Sequence, residues 1–172
     1  MLDLTRKQYT VYKTPVDYKH FAGKATDYNE EGKKSFTIRI PEDLAKELIE
    51  GRVSGVSKNE DEDYFRLKIN INYHYNNDGS PWSINPVAFF KSSSNDIRQP
   101  VDEAGLANAD YHYIDYVDTT FTIGHWQRSG REGWSAYLKT LIVTFKEKPQ
   151  DEDPLLKGYE SGPSNDEGLP FN

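Results

Sequence analysis

From residue 64 to residue 73 the chain alternates without a break. Phe65, Leu67, Ile69, Ile71 and Tyr73 fall on one side, and Tyr64, Arg66, Lys68, Asn70 and Asn72 on the other. Only an extended strand sends successive side chains to opposite faces, so this segment predicts a strand with one buried and one solvated face. The solvated face interleaves one aromatic with two cations and two amides.

The same period recurs along the chain. Residues 35–40 place Phe36, Ile38 and Ile40 opposite Thr37 and Arg39. A short helix is expected over residues 41–50: Pro41 suits a helix start, Glu42 and Asp43 suit the positive end of the dipole, and Gly51 closes it, with Leu44, Leu48 and Ile49 on one face. Weak β character near residues 13–18 and 53–57, strands over 86–91, 119–126 and 134–146, and a long loop over 92–110 complete the reading. A segment at 111–118 holds three tyrosines and two aspartates, and a polar turn fills 127–133. Many short strands, one short helix and no βαβ rhythm predict a mainly β fold of five or more strands, a small antiparallel barrel or a sandwich.

Charge divides the chain unevenly. From Gln150 onward, Asp151, Glu152, Asp153, Glu160, Asp166 and Glu167 stand against Lys157 alone, a net of five negative charges out of seven for the whole protein. Residues 1–149 are therefore expected to fold as one domain, and residues 150–172 to form a disordered acidic tail. The tail ends in Asp166-Glu167-Gly168-Leu169-Pro170-Phe171-Asn172. A Phe stiffened by the preceding Pro can enter a partner's apolar pocket while the two carboxylates meet the basic rim.

Without cysteine, disulfides and thiolate metal sites are excluded. The first residues hold no apolar stretch of signal-peptide length, and no run approaches the roughly 18 residues of a membrane span, so a soluble intracellular protein with no membrane partner is expected. No phosphate-cradling glycine loop, nucleophile elbow or zinc-protease motif occurs, and no cofactor is implied. Asp110, Asp115 and Asp118 with His112 and His125 are the nearest thing to a metal cluster, but their spacing matches no ligand pattern.

Cations paired with flat aromatic surfaces are the stronger constellation. Lys33, Lys34, Arg66, Lys68, Lys91, Arg128, Arg131 and Lys139 could follow a phosphate backbone, and Tyr64, Tyr73, Trp82, Trp126, Trp134 and Tyr137 could stack on bases. A single strand offers one phosphate charge and one π face per nucleotide, so a groove of this chemistry binds it with little regard to sequence.

Four stretches, residues 32–40, 44–53, 65–73 and 113–145, resemble a phage-encoded family of single-stranded DNA-binding proteins with an oligonucleotide-binding (OB) barrel. The last is the most telling, with Ile114-Asp115, Val117-Asp118, Ile123, His125-Trp126, Gly130, Gly133, Ala136-Tyr137-Leu138-Lys139 and Val143. The tail tip is similar to the acidic, Pro-Phe-ended tails of bacterial and phage single-stranded DNA-binding proteins, except that Asn172 follows Phe171. Arg52, where many relatives have Trp, and the longer turn at 76–80 are further departures.

The resemblance implies an OB-like fold and non-catalytic coating of single-stranded DNA during replication, recombination or repair, in the cytoplasm of the host bacterium. It also implies recruitment of replication or recombination proteins through Asp166, Glu167, Leu169, Pro170 and Phe171. Self-association is left open. The competing readings are a protein-interaction module, such as a phage inhibitor or assembly factor with a nucleic-acid-mimicking tail, and a metal-dependent nuclease built on Asp110, His112 and Asp115.

Overall fold

The structure, a computed structural model, describes residues 7–27 and 29–147. In chain order these form β1 (Gln8–Thr14), β2 (Val16–His20), β3 (Lys34–Ile40), α1 (Glu42–Glu50), β4 (Val56–Ser57) and β5 (Phe65–Ile71). There follow β6 (Val87–Ser92), β7 (Gln99–Val101), α2 (Glu103–Ala107), a 3-10 turn (Asn108–Tyr111), β8 (Ile114–Arg128) and β9 (Arg131–Phe145).

The strands make one sheet whose main path runs β1-β8-β9-β5-β3-β2. Its two end strands are consecutive in the chain, separated only by Pro15. Proline has no N–H to give to a ladder, so the extended chain changes partner there, pairing with β8 before the bend and with β3 after it. The Thr14 hydroxyl fastens the corner by donating to the Arg39 carbonyl at 2.7 Å. With β1 and β2 taken as one bent strand, the path closes into a five-stranded barrel with OB connectivity.

Two expectations are corrected. The sheet is not wholly antiparallel, because β9 lies parallel to β5 at Ile69 and Asn70, and its residues 140–145 lie parallel to the whole of β6. The stretch 92–110 is not a bare loop, since it carries β7, α2 and the 3-10 turn. The second helix starts where the Asp102 carboxylate accepts the Gly105 N–H at 2.8 Å, which satisfies a donor that the first turn leaves open.

The alternation at residues 65–71 does what its period requires. Leu67, Ile69 and Ile71 are buried beside Phe36, Ile38, Phe121, Leu141 and Val143, while Lys68 stays exposed. Helix α1 closes one side of the barrel with Ala45 and Leu48, and the Gly51 N–H caps it on the Glu47 carbonyl at 3.0 Å. Ile49, expected on the same apolar face, is instead half exposed.

The β8–β9 ribbon is longer than the barrel that holds it. Each strand has 15 residues, yet β1 pairs with β8 no further than Thr122, and β5 reaches β9 only at Ala136 and Tyr137. Beyond that level the ribbon leans on residues 53–54. Val53 bridges to Trp134, the Ser54 N–H donates to the Trp134 carbonyl at 2.8 Å, and the Ser54 and Ser135 hydroxyls meet at 2.8 Å.

Candidate nucleic-acid interface

A groove of about 970 Å³ runs between the β2–β3 turn, the outer face of β5 and the overhanging ribbon. Each wall has a local cause. The turn is held by Asn29, whose buried amide donates to the carbonyls of Lys24, Glu30 and Lys33 at 3.0–3.1 Å and so fixes the approach to Lys33 and Lys34. The floor is the wet face of β5, where Lys68 and Asn72 are exposed and the Asn70 amide donates to the Ala136 carbonyl at 3.1 Å. The far wall is the ribbon tip, carrying Trp126, Arg128, Arg131 and Tyr137.

The tip is a two-residue hairpin in which Arg128 lies directly opposite Arg131. Ser129 and Gly130 join them with φ of 51° and 79°, the left-handed pair that a type I′ turn demands. Like charges across a strand pair are destabilising, and among the described residues neither arginine has an ion-pair partner. Five of the lining residues are cationic, Lys33, Lys34, Lys68, Arg128 and Arg131, and none is acidic. Lys33 reaches Glu30 at 3.6 Å in an exposed contact, and Lys34 is paired with Glu103 of α2, which also accepts from the Tyr75 hydroxyl at 2.6 Å. Burial would push the Glu103 carboxyl up, but the hydrogen bonds from Lys34 and Tyr75 outweigh it and hold it below its ordinary range.

Half of the sequence-predicted contact residues therefore converge here: Lys33, Lys34, Lys68, Trp126, Arg128, Arg131 and Tyr137. The other seven lie elsewhere. Arg66 shares the outer face of β5 with Lys68, yet it is 8% exposed and bonded to Asp17 at 2.8 Å and to Glu62 at 2.9 Å. Tyr64 is covered by the Arg39 guanidinium, 4.0 Å from its ring centre, and Arg39 in turn binds Asp17 at 3.0 Å. Arg66 is thus an ion-paired cation and Tyr64 a ring partly covered by Arg39, and neither lines the groove. Lys91 is likewise buried, 3.6 Å from Asp96.

Trp134 and Trp126 sit at an odd and an even step of the ribbon, so they face opposite ways. Trp134 packs against the core and His125 and anchors the tip rather than lining the groove. Tyr73 is half-buried against the core, and burial pushes its phenol well up from the ordinary value. Trp82 is exposed but stacks on His74 at 4.9 Å, outside the groove lining. Lys139 is exposed and donates to Gln8 at 3.1 Å, also outside it. Asp166, Glu167, Leu169, Pro170 and Phe171 lie outside the described residues.

Sequence reasoning missed Ser54, Asn70, Asn72, Gln127 and Ser135, polar groups that line the groove. The amides on β5 were visible in the alternation. Ser54 carries no local signal, because it joins the site through a contact about eighty residues away.

Both Asp110 carboxylate oxygens are occupied by the N–H groups of Phe21 and Ala22, at 2.8 and 2.9 Å, and no cluster of three potential ligands occurs among the described residues. Among those residues no helix is long and apolar enough to cross a membrane.

A family model described as "Putative phage ssDNA-binding domain" matches residues 4–169. The chain belongs to this family. Among solved structures, it is similar to the single-stranded DNA-binding protein of bacteriophage Enc34 in complex with ssDNA, at 13% identity and a TM-score of 0.50 over 83% of this chain and 88% of that one. Another similar structure is gp2.5, a single-stranded DNA-binding protein encoded by bacteriophage T7, at 8% identity and a TM-score of 0.47 over 84% and 95%. No curated protein matches. For members of this family the ligand is single-stranded DNA, and the OB barrel supplies the usual place for it, the outer face of its second and third strands with the two flanking turns. In this chain those are β3, β5, the β2–β3 turn and the tip of the β8–β9 ribbon.

Proposed function

We propose that this phage single-stranded DNA-binding domain coats single strands with low sequence preference by laying them in the groove between Lys33 and Arg131. The carrying observation is that five cations and two half-buried rings line one groove that holds no carboxylate, on a chain of net charge −7. A local cationic track attracts a polyanion even where the overall charge repels it. Lys33, Lys68, Arg128 and Arg131 follow the phosphates, Lys34 joins them by exchanging its Glu103 partner, and Trp126 and Tyr137 receive the bases. Each stacked base is worth about 1 to 3 kcal/mol.

Roles in replication, recombination or repair, in the cytoplasm of the host, are part of the same reading, and family membership supports them. Residues 150–172 act as the recruiting tail, with Asp166, Glu167, Leu169, Pro170 and Phe171 as the partner-binding tip. Support comes from their composition, five net negative charges ahead of a single Pro-Phe hook.

The test is a salt titration of oligo-dT binding followed by tryptophan fluorescence. Three to five displaced counterions give a slope of roughly −2 to −3.5 in log K against log salt, at about 0.7 per phosphate contact. Quenching and a preference for single over double strands are expected. A protein-interaction module would bind no oligonucleotide at any salt, and that result would overturn the reading.

A further inference from the structure

Two glycines of the ribbon are filled by aromatic rings. On its groove face the ribbon presents Gly124 and Trp126 from β8, and Gly133 and Tyr137 from β9, with Trp126 directly opposite Gly133 and Tyr137 diagonal to Gly124. A β-carbon at Gly133 would fall 2.7 Å from Cζ2 and 2.9 Å from Cε2 of Trp126. One at Gly124 would fall 2.9 Å from both Cδ2 and Cε2 of Tyr137. Neither glycine has a positive φ, so the backbone at these positions could carry any residue. What each position requires is empty space above it, and in each case the space is taken by a ring that lines the groove.

Glycine weakens a strand interior, having no side chain to pack and more chain entropy to lose, and here it occurs twice on the one stretch of ribbon that no other strand of the barrel supports. We propose that Gly124 and Gly133 are positioning residues for single-strand recognition. They seat Tyr137 and Trp126 down against the ribbon, side by side, so that each ring meets an incoming base without first giving up rotamer freedom. The seats set the preference for strands that carry bases over the bare sugar-phosphate chain, while the neighbouring Arg128 and Arg131 attract both alike. This rests on the groove reading above and deepens it. A purely structural role is the alternative, since a ring laid over a strand glycine also stabilises a sheet.

The experiment compares oligo-dT with an abasic strand of equal length and equal phosphate count, at fixed salt, using the full chain. The wild type is expected to prefer oligo-dT. Gly133→Ala should lower oligo-dT affinity about fivefold or more, the equivalent of losing one weak stack, and leave abasic affinity within about twofold. In a Trp126→Ala background the same glycine change should add nothing further. Gly124→Ala repeats the test through Tyr137 and keeps it decisive should Gly133→Ala fail to fold, which a thermal melt shows. Equal loss on both strands, or no loss on either by a folded variant, overturns the seat proposal and leaves the groove standing. A wild type that binds both strands equally overturns the stacking reading as well.

Discussion

Arg66 and Lys68 stand two residues apart on one face of one strand, and their fates differ completely. Asp17 reaches Arg66 from β2 and Glu62 reaches it from the preceding turn, while no carboxylate among the described residues pairs with Lys68. Lys68→Ala is therefore expected to flatten the salt dependence of oligo-dT binding by about 0.7 in slope, the share of one phosphate contact. Arg66→Met and Lys91→Ala should leave that slope unchanged, which a paired salt titration checks. Asp17 is the stabilising partner. Burial would raise its pKa, but hydrogen bonds from Arg39 and then Arg66 outweigh that and hold the carboxyl below its ordinary value. A depressed folded-state pKa means stability that is present above the unfolded value of about 4 and lost as pH falls through the folded one. Asp17→Asn should thus cost about 1 to 3 kcal/mol near neutrality, the price of leaving hydrogen-bonded partners unmet. It should also shrink the acid loss seen in denaturant melts taken between pH 5 and 2. A variant as acid-sensitive as the wild type would show that the network does not carry this term.

At the scale of the element, the β8–β9 ribbon is the device that builds the site. Its tip depends on Ser129 and Gly130, both left-handed, joining two arginines that have no ion-pair partner among the described residues, since the adjacent Glu132 pairs with His125. Gly130→Ala should destabilise by about 1 kcal/mol, since a β-carbon is strained at positive φ. Ser129→Asn should stabilise slightly, because Asn-Gly is the preferred type I′ pair. Thermal melts of the two variants should move in opposite directions. The strand alternation at residues 65–73 and 35–40 was legible because one face of each is buried, which writes the period into the residues. The ribbon was legible only in part. The polar, glycine-containing residues 127–133 suggested a turn far longer than the two residues that make it, because Gly133 looks like a breaker until the ring that covers it is seen. The β7, α2 and 3-10 segments, of three to five residues each, are too short to establish any period.

For the molecule as a whole, charge is segregated. The net of five negative charges beyond residue 149 can compete with DNA for the cationic groove, a role proposed for the tail. Deleting residues 150–172 should tighten oligo-dT binding at low salt and make little difference near 1 M, where the screening length is about 3 Å. No gain at low salt would remove the tail from the groove's regulation.

Alternation, helix punctuation and the acidic end were written locally, so the sequence by itself determined the β class, α1, the faces of β3 and β5, and the chemistry that a binding site would use. Which cations would be free to use it was decided by tertiary structure alone. A charge is available or spent according to what is brought beside it, and Asp17 reaches Arg66 from a strand about fifty residues earlier. The bend at Pro15 that closes the barrel, the parallel pairings of β9 and the facing of Trp134 away from Trp126 belong to the same class. Each depends on contacts between segments far apart in the chain, and local patterning does not encode them.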